Sequence, residues 1–576
     1  MDNAPSDPYE LPADSFERSS TSGLVQATHE VGRIAPKRRG PWMMIASAIS
    51  VLAVVGGGGF LALQAFTSTS QAPAASMPSD TSLYFSVDLL QLMGEDATGA
   101  LVDTVRGVLE RLGEDVADPD DLIADLDAEL RASVGFDFSN DIQPWLGRTM
   151  GVGILSENWD PTDYASTPDV LLVVEVRNEG EATEFLETLQ AASAREGLAL
   201  TWSQYDDADL LVGTQDGTGL AIGVSNGMLL AGTTRGVQRG IDAQSGISLK
   251  DNPSFVEGTG SLPESRLFTG WIDAGFYQAV YDDLLTGVGT PTPDLGLAQD
   301  MMAGWKGMAL AVTVTEAGIA FDGNVLFEEG QTPDWYTADL LGTGSVPALL
   351  PADTLAFVEY GSPAGIWSST ASALMGAQPD YQAELDEFEE QLGFHPIDDF
   401  LAYLDGSMGL ALMRSSNGLL AAESGFPIGL VGLAGTSSPE PLRSTLEQVN
   451  ALLADEGMRP SQANGFYVYE DSGREMIAYG VTDERLVIGT SSNDLARIGA
   501  GGPNLTTNPA YAAAVDSLDG DDFAVAFFAD VAGMVDVFGG EGDVRVALEP
   551  FTGIIAATKI DGSVYRGTVL VLIDYD

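Results

Sequence analysis

The sequence contains no cysteine and few positive charges. Without cysteine the chain has no disulfides, no thiolate nucleophile and no cysteine-ligated metal. A catalytic zinc site built on two or three histidines is also excluded outside a membrane, because His395 is the only histidine beyond the N-terminal region. No Gly-x-x-x-x-Gly-Lys phosphate-binding motif is present. These absences remove several common kinds of catalytic site.

Acidic residues outnumber basic residues by 85 to 25, which gives a formal net charge of −60. Beyond Phe66 the chain holds 20 basic and 79 acidic side chains. Such a surface repels phosphate backbones, so we expect no nucleic-acid partner. It favours a cationic or envelope partner, or serves only to keep an exposed protein soluble. Hydrophobic residues still make up 45% of the 576 residues, enough for two folded domains of about 250 residues each.

An apolar stretch near the N-terminus predicts one membrane span. Residues 42–66 carry no formal charge and, at about 1.5 Å per residue, exceed the roughly 30 Å hydrocarbon core of a bilayer. Lys37, Arg38 and Arg39 precede the stretch, so the positive-inside rule places the N-terminus in the cytoplasm and the bulk of the chain outside the cell. We therefore expect a disordered tail over residues 1–40, a transmembrane helix over 41–66 and a tether over 67–76. A cleaved signal peptide is the alternative, because Ala72-Pro73-Ala74 resembles a cleavage site.

The remainder of the chain carries an internal repeat. Met77-Pro78-Ser79-Asp80-Thr81 returns as Leu350-Pro351-Ala352-Asp353-Thr354, and Asn252-Pro253-Ser254-Phe255 returns as Asn508-Pro509-Ala510-Tyr511. The elements predicted after each opening follow in the same order, as strands in hairpins mixed with helices. We therefore predict two tandem copies of one α+β module with a largely antiparallel sheet. They cover residues 77–330 and 347–576 and are joined by a linker over 331–346.

Local patterns predict matching hairpins in the two copies. One turn falls at Ser225-Asn226-Gly227 and its counterpart near Asp483-Glu484. Each copy closes with a long hairpin, residues 308–327 and residues 554–573. An acidic amphipathic helix ends at Gly135 in the first copy and at Gly393 in the second, where a glycine C-cap is expected.

Three motifs together resemble a known family. They are the Pro-x-Asp-Thr opening, the turn Pro144-Trp145-Leu146-Gly147 before a strand, and the Asn-Pro-x-aromatic segment. The pattern is similar to a bacterial envelope family catalogued as domain of unknown function 3352, over about residues 77–576. The second copy departs from it, with Tyr403-Leu404-Asp405-Gly406 in place of Pro-Trp-Leu-Gly. The resemblance implies a membrane-anchored, extracytoplasmic bacterial protein and supplies no catalytic residues.

One short motif suggests a nucleophile. Gly223-Val224-Ser225-Asn226-Gly227 matches the Gly-x-Ser-x-Gly elbow, which normally joins a strand to a helix. Here a strand is predicted to follow, the second copy has Thr482-Asp483 near this position, and His395 lies in the other copy. We therefore assign no catalytic residue.

Calcium is the only cofactor that the residues leave open. Hard cations need several oxygen ligands, and the chain has three acidic clusters without EF-hand spacing. Such runs usually form solvated loops. The candidate ligands are Asp118, Asp120 and Asp121, then Asp206, Asp207 and Asp209, and finally Asp519, Asp521 and Asp522.

The sequence thus predicts a non-catalytic, membrane-anchored envelope protein that presents an acidic ectodomain for binding or scaffolding. The lipid bilayer, contacted through one helix, is its first expected partner. The alternative is an extracytoplasmic hydrolase or carbohydrate-active enzyme that uses a carboxylate pair, since 85 acidic residues allow many such pairs. The ligand and the oligomeric state are left open.

Overall fold

The computed structural model describes most of the chain beyond residue 71. The described ranges are 72–89, 135–156, 168–195, 199–215, 217–278, 304–332, 341–368, 381–455, 457–518, 523–539 and 543–575. Residue 371 and scattered helical positions between 100 and 132 are also described. The predicted tail, the predicted transmembrane helix over 41–66 and the first part of the tether lie outside these residues. Within the described ranges, no helix has the length and apolar character needed to cross a bilayer. The end of the predicted tether, Pro73–Ser76, is a 3-10 turn whose Ala74 is buried.

In the described part of the chain, twenty strands form one sheet, and every pair of neighbours is antiparallel. The first half of the chain contributes β1 (Thr81–Asp88), β2 (Leu146–Leu155), β3 (Asp169–Val176), β4 (Thr201–Tyr205), β5 (Ala208–Gln215), β6 (Thr218–Ser225), β7 (Met228–Thr233), β8 (Phe268–Asp273), β9 (Trp305–Thr315) and β10 (Gly318–Phe327). The second half contributes β11 (Thr354–Tyr360), β12 (Met408–Arg414), β13 (Ile428–Gly435), β14 (Ser461–Ala463), β15 (Phe466–Asp471), β16 (Arg474–Val481), β17 (Arg485–Gly489), β18 (Ala524–Asp530), β19 (Phe551–Asp561) and β20 (Val564–Ile573).

The order of the strands is the same on either side of the sheet's centre. From one edge it runs β4-β5-β6-β7-β3-β2-β1-β8-β9-β10, and from the other edge β14-β15-β16-β17-β13-β12-β11-β18-β19-β20. The two series meet where β10 pairs with β20. Gly318 lies opposite Leu572 and Leu326 opposite Val564, so the pairing is symmetric about its midpoint. There the Thr568 hydroxyl donates to the Asp322 carboxylate at 2.5 Å.

The predicted fold of two tandem α+β modules as two domains is therefore wrong, whereas the predicted transmembrane helix over 41–66 lies outside the described residues. One continuous sheet runs through both halves of the chain. The physical reason is that the closing hairpin of each half would expose an unpaired strand edge, and such edges pair readily. Here the edges of β10 and β20 satisfy each other's backbone N–H and C=O groups over nine residue pairs.

Short helices and loops connect the strands. The described α-helices are α1 (Glu179–Arg195), α2 (Thr234–Ser245), α3 (Pro253–Gly260), α4 (Tyr381–Leu392), α5 (Gly418–Ser424), α6 (Pro439–Asp455), α7 (Ser492–Leu495), α8 (Pro509–Asp516), α9 (Val531–Phe538) and α10 (Asp543–Leu548). A π-helical turn covers Phe138–Ile142, and 3-10 turns cover Leu249–Asp251, Leu401–Tyr403 and Leu505–Thr507.

Local sequence explains the individual elements. The Asn226-Gly227 turn between β6 and β7 has φ values of 50° and 74°, which a two-residue hairpin turn of the primed type requires. Gly135 and Gly393 both adopt positive φ, as expected at helix C-caps. β9 alternates buried and half-buried residues along its length, the pattern of a strand covered more fully on one face.

The core differs between the two halves. In the first half one face packs around Trp145, Leu172 and Leu186, and the opposite face packs around Phe255 and Trp271. In the second half one face carries an extended core that includes Phe357 and Phe528. On the other face the described residues form two small clusters. This difference places the candidate site.

Candidate functional site

The predicted calcium ligands do not assemble in the described residues. Asp206 and Asp207 form the exposed turn between β4 and β5, and Asp209 faces solvent opposite Gln204. No group of three or more acidic or histidine side chains in the described ranges has the geometry to hold a metal ion. Two of the three predicted clusters lie outside those ranges, namely Asp118, Asp120 and Asp121, and Asp519, Asp521 and Asp522.

Ser225 and His395 have structural partners. Ser225 ends β6, its hydroxyl donates to the Gln244 side-chain oxygen at 2.8 Å, and β7 follows after a two-residue turn. The Gly-x-Ser-x-Gly match therefore belongs to a hairpin. His395 Nδ1 accepts from the backbone N–H of Asp398 at 3.1 Å, which fixes the turn after α4. His395 Nδ1 also lies 3.7 Å from the Asp398 carboxylate, but Ser225 bonds to an amide oxygen rather than to a base, so the two side chains do not form one nucleophilic site.

The repeated motifs contact each other within each half. Asn252 caps α3 by accepting from two backbone N–H groups, and its amide donates to the Ser79 carbonyl at 2.8 Å. Asn508 caps α8 in the same way, and its amide donates to the Ala352 carbonyl at 2.9 Å. The Pro-x-Asp-Thr opening and the Asn-Pro-x-aromatic segment thus recur together because each pair forms one contact.

Two arginines complete these contacts, and sequence reasoning missed them. Arg239 pairs with Asp80 in the first half, and Arg497 pairs with Asp353 in the second. Both aspartates belong to the Pro-x-Asp-Thr opening. The arginines follow the hairpins β6–β7 and β16–β17 at similar distances, a signal that aligning the two copies could have revealed. The repeated charges therefore join equivalent segments in the two halves.

Two buried carboxylates have perturbed protonation, and both belong to the second half. Burial raises the pKa of Glu359, although backbone N–H groups of Gly344 and Val346 donate to its two oxygens. Glu359 thereby fixes the segment that enters the second half. Burial also raises the pKa of Asp494, whose nearest cation, Arg497, lies 4.0 Å away. These surroundings suit structural carboxylates.

One face of the second half presents a row of three aliphatic residues and one glycine. Val358, Leu410, Gly432 and Ile488 lie directly opposite one another on β11, β12, β13 and β17, so they share one face. We call these four residues the open row. Leu410 is 46% exposed and Ile488 is 43% exposed. Leu430, next to the row on β13, is 36% exposed.

The same ladder positions in the first half are half-buried or buried. They are Phe85, Val152, Leu172 and Ala231, paired in the same order. Leu172 is 2% exposed and Ala231 is 3% exposed, and both pack in the cluster that contains Trp145. The two halves therefore share a strand order but not a surface, because Leu410 and Ile488 are exposed whereas their counterparts Val152 and Ala231 pack against or within that cluster.

Comparisons with known proteins give a family but no function. The family model described as "Protein of unknown function (DUF3352)" matches residues 109–538. No curated protein matches. Among solved structures, crystal form III of TP0453 is similar at 9% identity and a TM-score of 0.23, covering 45% of this chain and 81% of that one. Crystal form IV gives 10% identity, the same TM-score and the same coverage. Similarity at this level carries no functional argument.

Proposed function

The chain belongs to this family of proteins of unknown function, and we propose that it is a non-catalytic binding or scaffolding protein that displays an acidic surface outside the cell to a cationic partner. The open row is the observation that carries the proposal. Exposed aliphatic side chains on adjacent strands cost free energy in water, at about 25 cal/mol per Å², unless a partner covers them. Three of their counterparts in the first half, Val152, Leu172 and Ala231, pack within or against a core cluster of the chain itself.

The negative charge of the second half supports a cationic partner. The segment 341–576 has 34 acidic and 9 basic residues, so it attracts cations and repels anionic polymers. The described side chains that suggested chemistry, Ser225 and His395, are engaged in turns. The extracytoplasmic location rests on Lys37, Arg38 and Arg39 before the apolar stretch.

Proximity labelling tests this function. A labelling enzyme fused to the C-terminus of the full-length chain, in the native envelope, should biotinylate extracytoplasmic proteins with basic surfaces. The same enzyme fused to the N-terminus should label cytoplasmic proteins. Labelling of cytoplasmic proteins by the C-terminal fusion would contradict the location. Labelling of envelope proteins without any basic surface would contradict the partner class.

A further inference from the structure

The open row lies in a trough between two covered regions. On β12, Met408 packs against the cluster of Leu404, Ala434 and Leu442, which α6 helps to cover. Leu412, four positions after Met408 on β12, packs against a second cluster under α5 and α9. Leu410, between Met408 and Leu412, is exposed. β13 also extends from one cluster to the other, because Ala434 belongs to the first cluster and Ile428 to the second.

The trough has the width of a helix. Four residues of extended strand span about 13 Å, and an α-helix with its side chains is about 10–12 Å across. A partner helix lying in the trough would run across the strands. Its turns, about 5.4 Å apart, would nearly match the strand spacing of about 4.8 Å.

The exposed side chains have the spacing of helical anchors. Leu410 and Ile488 are separated by one intervening strand, β13, and hence by about 9.6 Å. Residues i and i+7 of a helix are separated by about 10.5 Å. Gly432 carries no side chain between them, and Ile488 leans over it, since a Cβ at Gly432 would lie 3.1 Å from Ile488 Cγ2. The row is therefore a continuous, shallow aliphatic strip suited to a macromolecule.

The helices that flank the trough are acidic. Five exposed carboxylates lie on α5, α6 and α9, namely Glu423, Glu440, Glu447, Asp455 and Asp536. Two arginines lie among them: Arg443 pairs with Glu440 and Asp483, and Arg414 at the end of β12 lies 4.0 Å from Asp536, so the acidic side chains remain in excess. The rim of the trough is thus negative while its floor is aliphatic.

We propose that this trough binds a cationic amphipathic helix of a partner protein, with the apolar side of that helix on Leu410, Leu430 and Ile488 and its basic side chains on the acidic rim. The inference rests on the proposed function and specifies its site and its partner. This is the helix-in-groove mode of recognition, in which apolar anchors recur at i, i+3, i+4 and i+7.

The probe is a synthetic helix of about 18 residues with leucine at i, i+3, i+4 and i+7 and lysine elsewhere. It is titrated into the full-length chain in detergent. A scrambled peptide of the same composition should bind about tenfold more weakly, because it cannot present one apolar face. A peptide with glutamate in place of lysine should not bind. Equal affinity for the ordered and scrambled peptides would overturn the proposed site, while cationic partners found by proximity labelling would leave the proposed function standing.

The variant Leu410→Thr/Ile488→Thr tests the floor directly, since threonine retains a high strand propensity. We expect about a tenfold loss of affinity for the ordered peptide. The matched control is Ile247→Thr, which removes an aliphatic side chain that is 73% exposed in the first half and should leave affinity unchanged. Unchanged affinity in the double variant, with an unchanged circular dichroism spectrum, would overturn the site.

A second copy of the chain or a lipid surface could instead occupy the trough, and either result would overturn the proposal. If the face binds a second copy of the chain, sedimentation will show a dimer that the double variant abolishes. If it binds lipid, phosphatidylcholine vesicles will bind the wild-type chain and not the double variant, and the lysine peptide will not compete.

Discussion

At the scale of single residues, Asn252 and Asn508 each join two distant segments of the chain. Their amides reach carbonyls 173 and 156 positions earlier, while their side-chain oxygens cap the helices that follow. The proline after each asparagine suits the first helical turn, where its missing N–H is not needed. The motif Asn-Pro-x-aromatic therefore encodes a helix start and a long-range contact together.

Replacing either asparagine with alanine should destabilise the protein by about 2 kcal/mol, because about 1 kcal/mol is lost with the cap and about 1 kcal/mol with the hydrogen bond. Asn252→Ala and Asn508→Ala should give similar losses, measured by denaturant unfolding. Gln448→Ala, at an exposed position on α6, is the control and should change stability little. A loss at only one of the two asparagines would show that the two contacts are not equivalent.

Glu359 shows how one buried acid links stability to pH. Its side chain is 1% exposed, and burial raises its pKa in the folded state above the ordinary glutamate value of about 4.3. The folded state therefore holds this proton more tightly than the unfolded state. By linkage, the contribution of Glu359 to stability falls as pH rises from the unfolded pKa through the folded pKa.

The variant Glu359→Gln cannot ionise, so it isolates this effect. The free energy of unfolding of the wild type minus that of Glu359→Gln should decrease as pH rises above about 4.3. Below that pH the difference should be constant. Urea unfolding at pH 3 to 8 measures both. A difference that stays constant over the whole range, or grows with pH, would contradict the raised pKa.

At the scale of elements, the sequence predicts hairpins well and the junction between halves poorly. Turn residues such as Asn226 and Gly227 act locally, and the turn predicted at Ser225-Asn226-Gly227 falls where β6 ends and β7 begins. The pairing of β10 with β20 has no such local signal, because their apolar alternation fits any antiparallel neighbour. The strand edge that each half leaves unpaired determines the architecture. The position of that edge depends on the whole chain.

Gly318, at the start of β10, makes the junction sensitive to a single methyl group. Its φ is +144°, and an added Cβ would lie 1.9 Å from the Val571 carbonyl oxygen on β20. Gly318→Ala should therefore cost about 3 kcal/mol, through backbone strain and overpacking. Gly562→Ala is the control, because Gly562 also has positive φ, at +61°, but open space around it. Its cost should be about 1 kcal/mol. Equal melting temperatures for the two variants would show that the junction tolerates displacement.

At the scale of the whole molecule, the location of the exposed surface could not be predicted from the sequence. β2 and β12 are both rich in apolar residues, and the sequence does not show which of them the surrounding segments cover. Val152 packs against a buried cluster whereas Leu410 is exposed at the same ladder position. Such differences arise from tertiary packing, which strand patterns do not encode.

The symmetric pairing of β10 with β20 has a consequence for stoichiometry. An isologous contact normally relates two subunits, and two subunits present two copies of every surface. Here the contact lies within one chain, and the two halves have diverged so that only one of them exposes the row. The molecule is therefore monovalent for a partner that binds there, and it should bind that partner one to one without avidity.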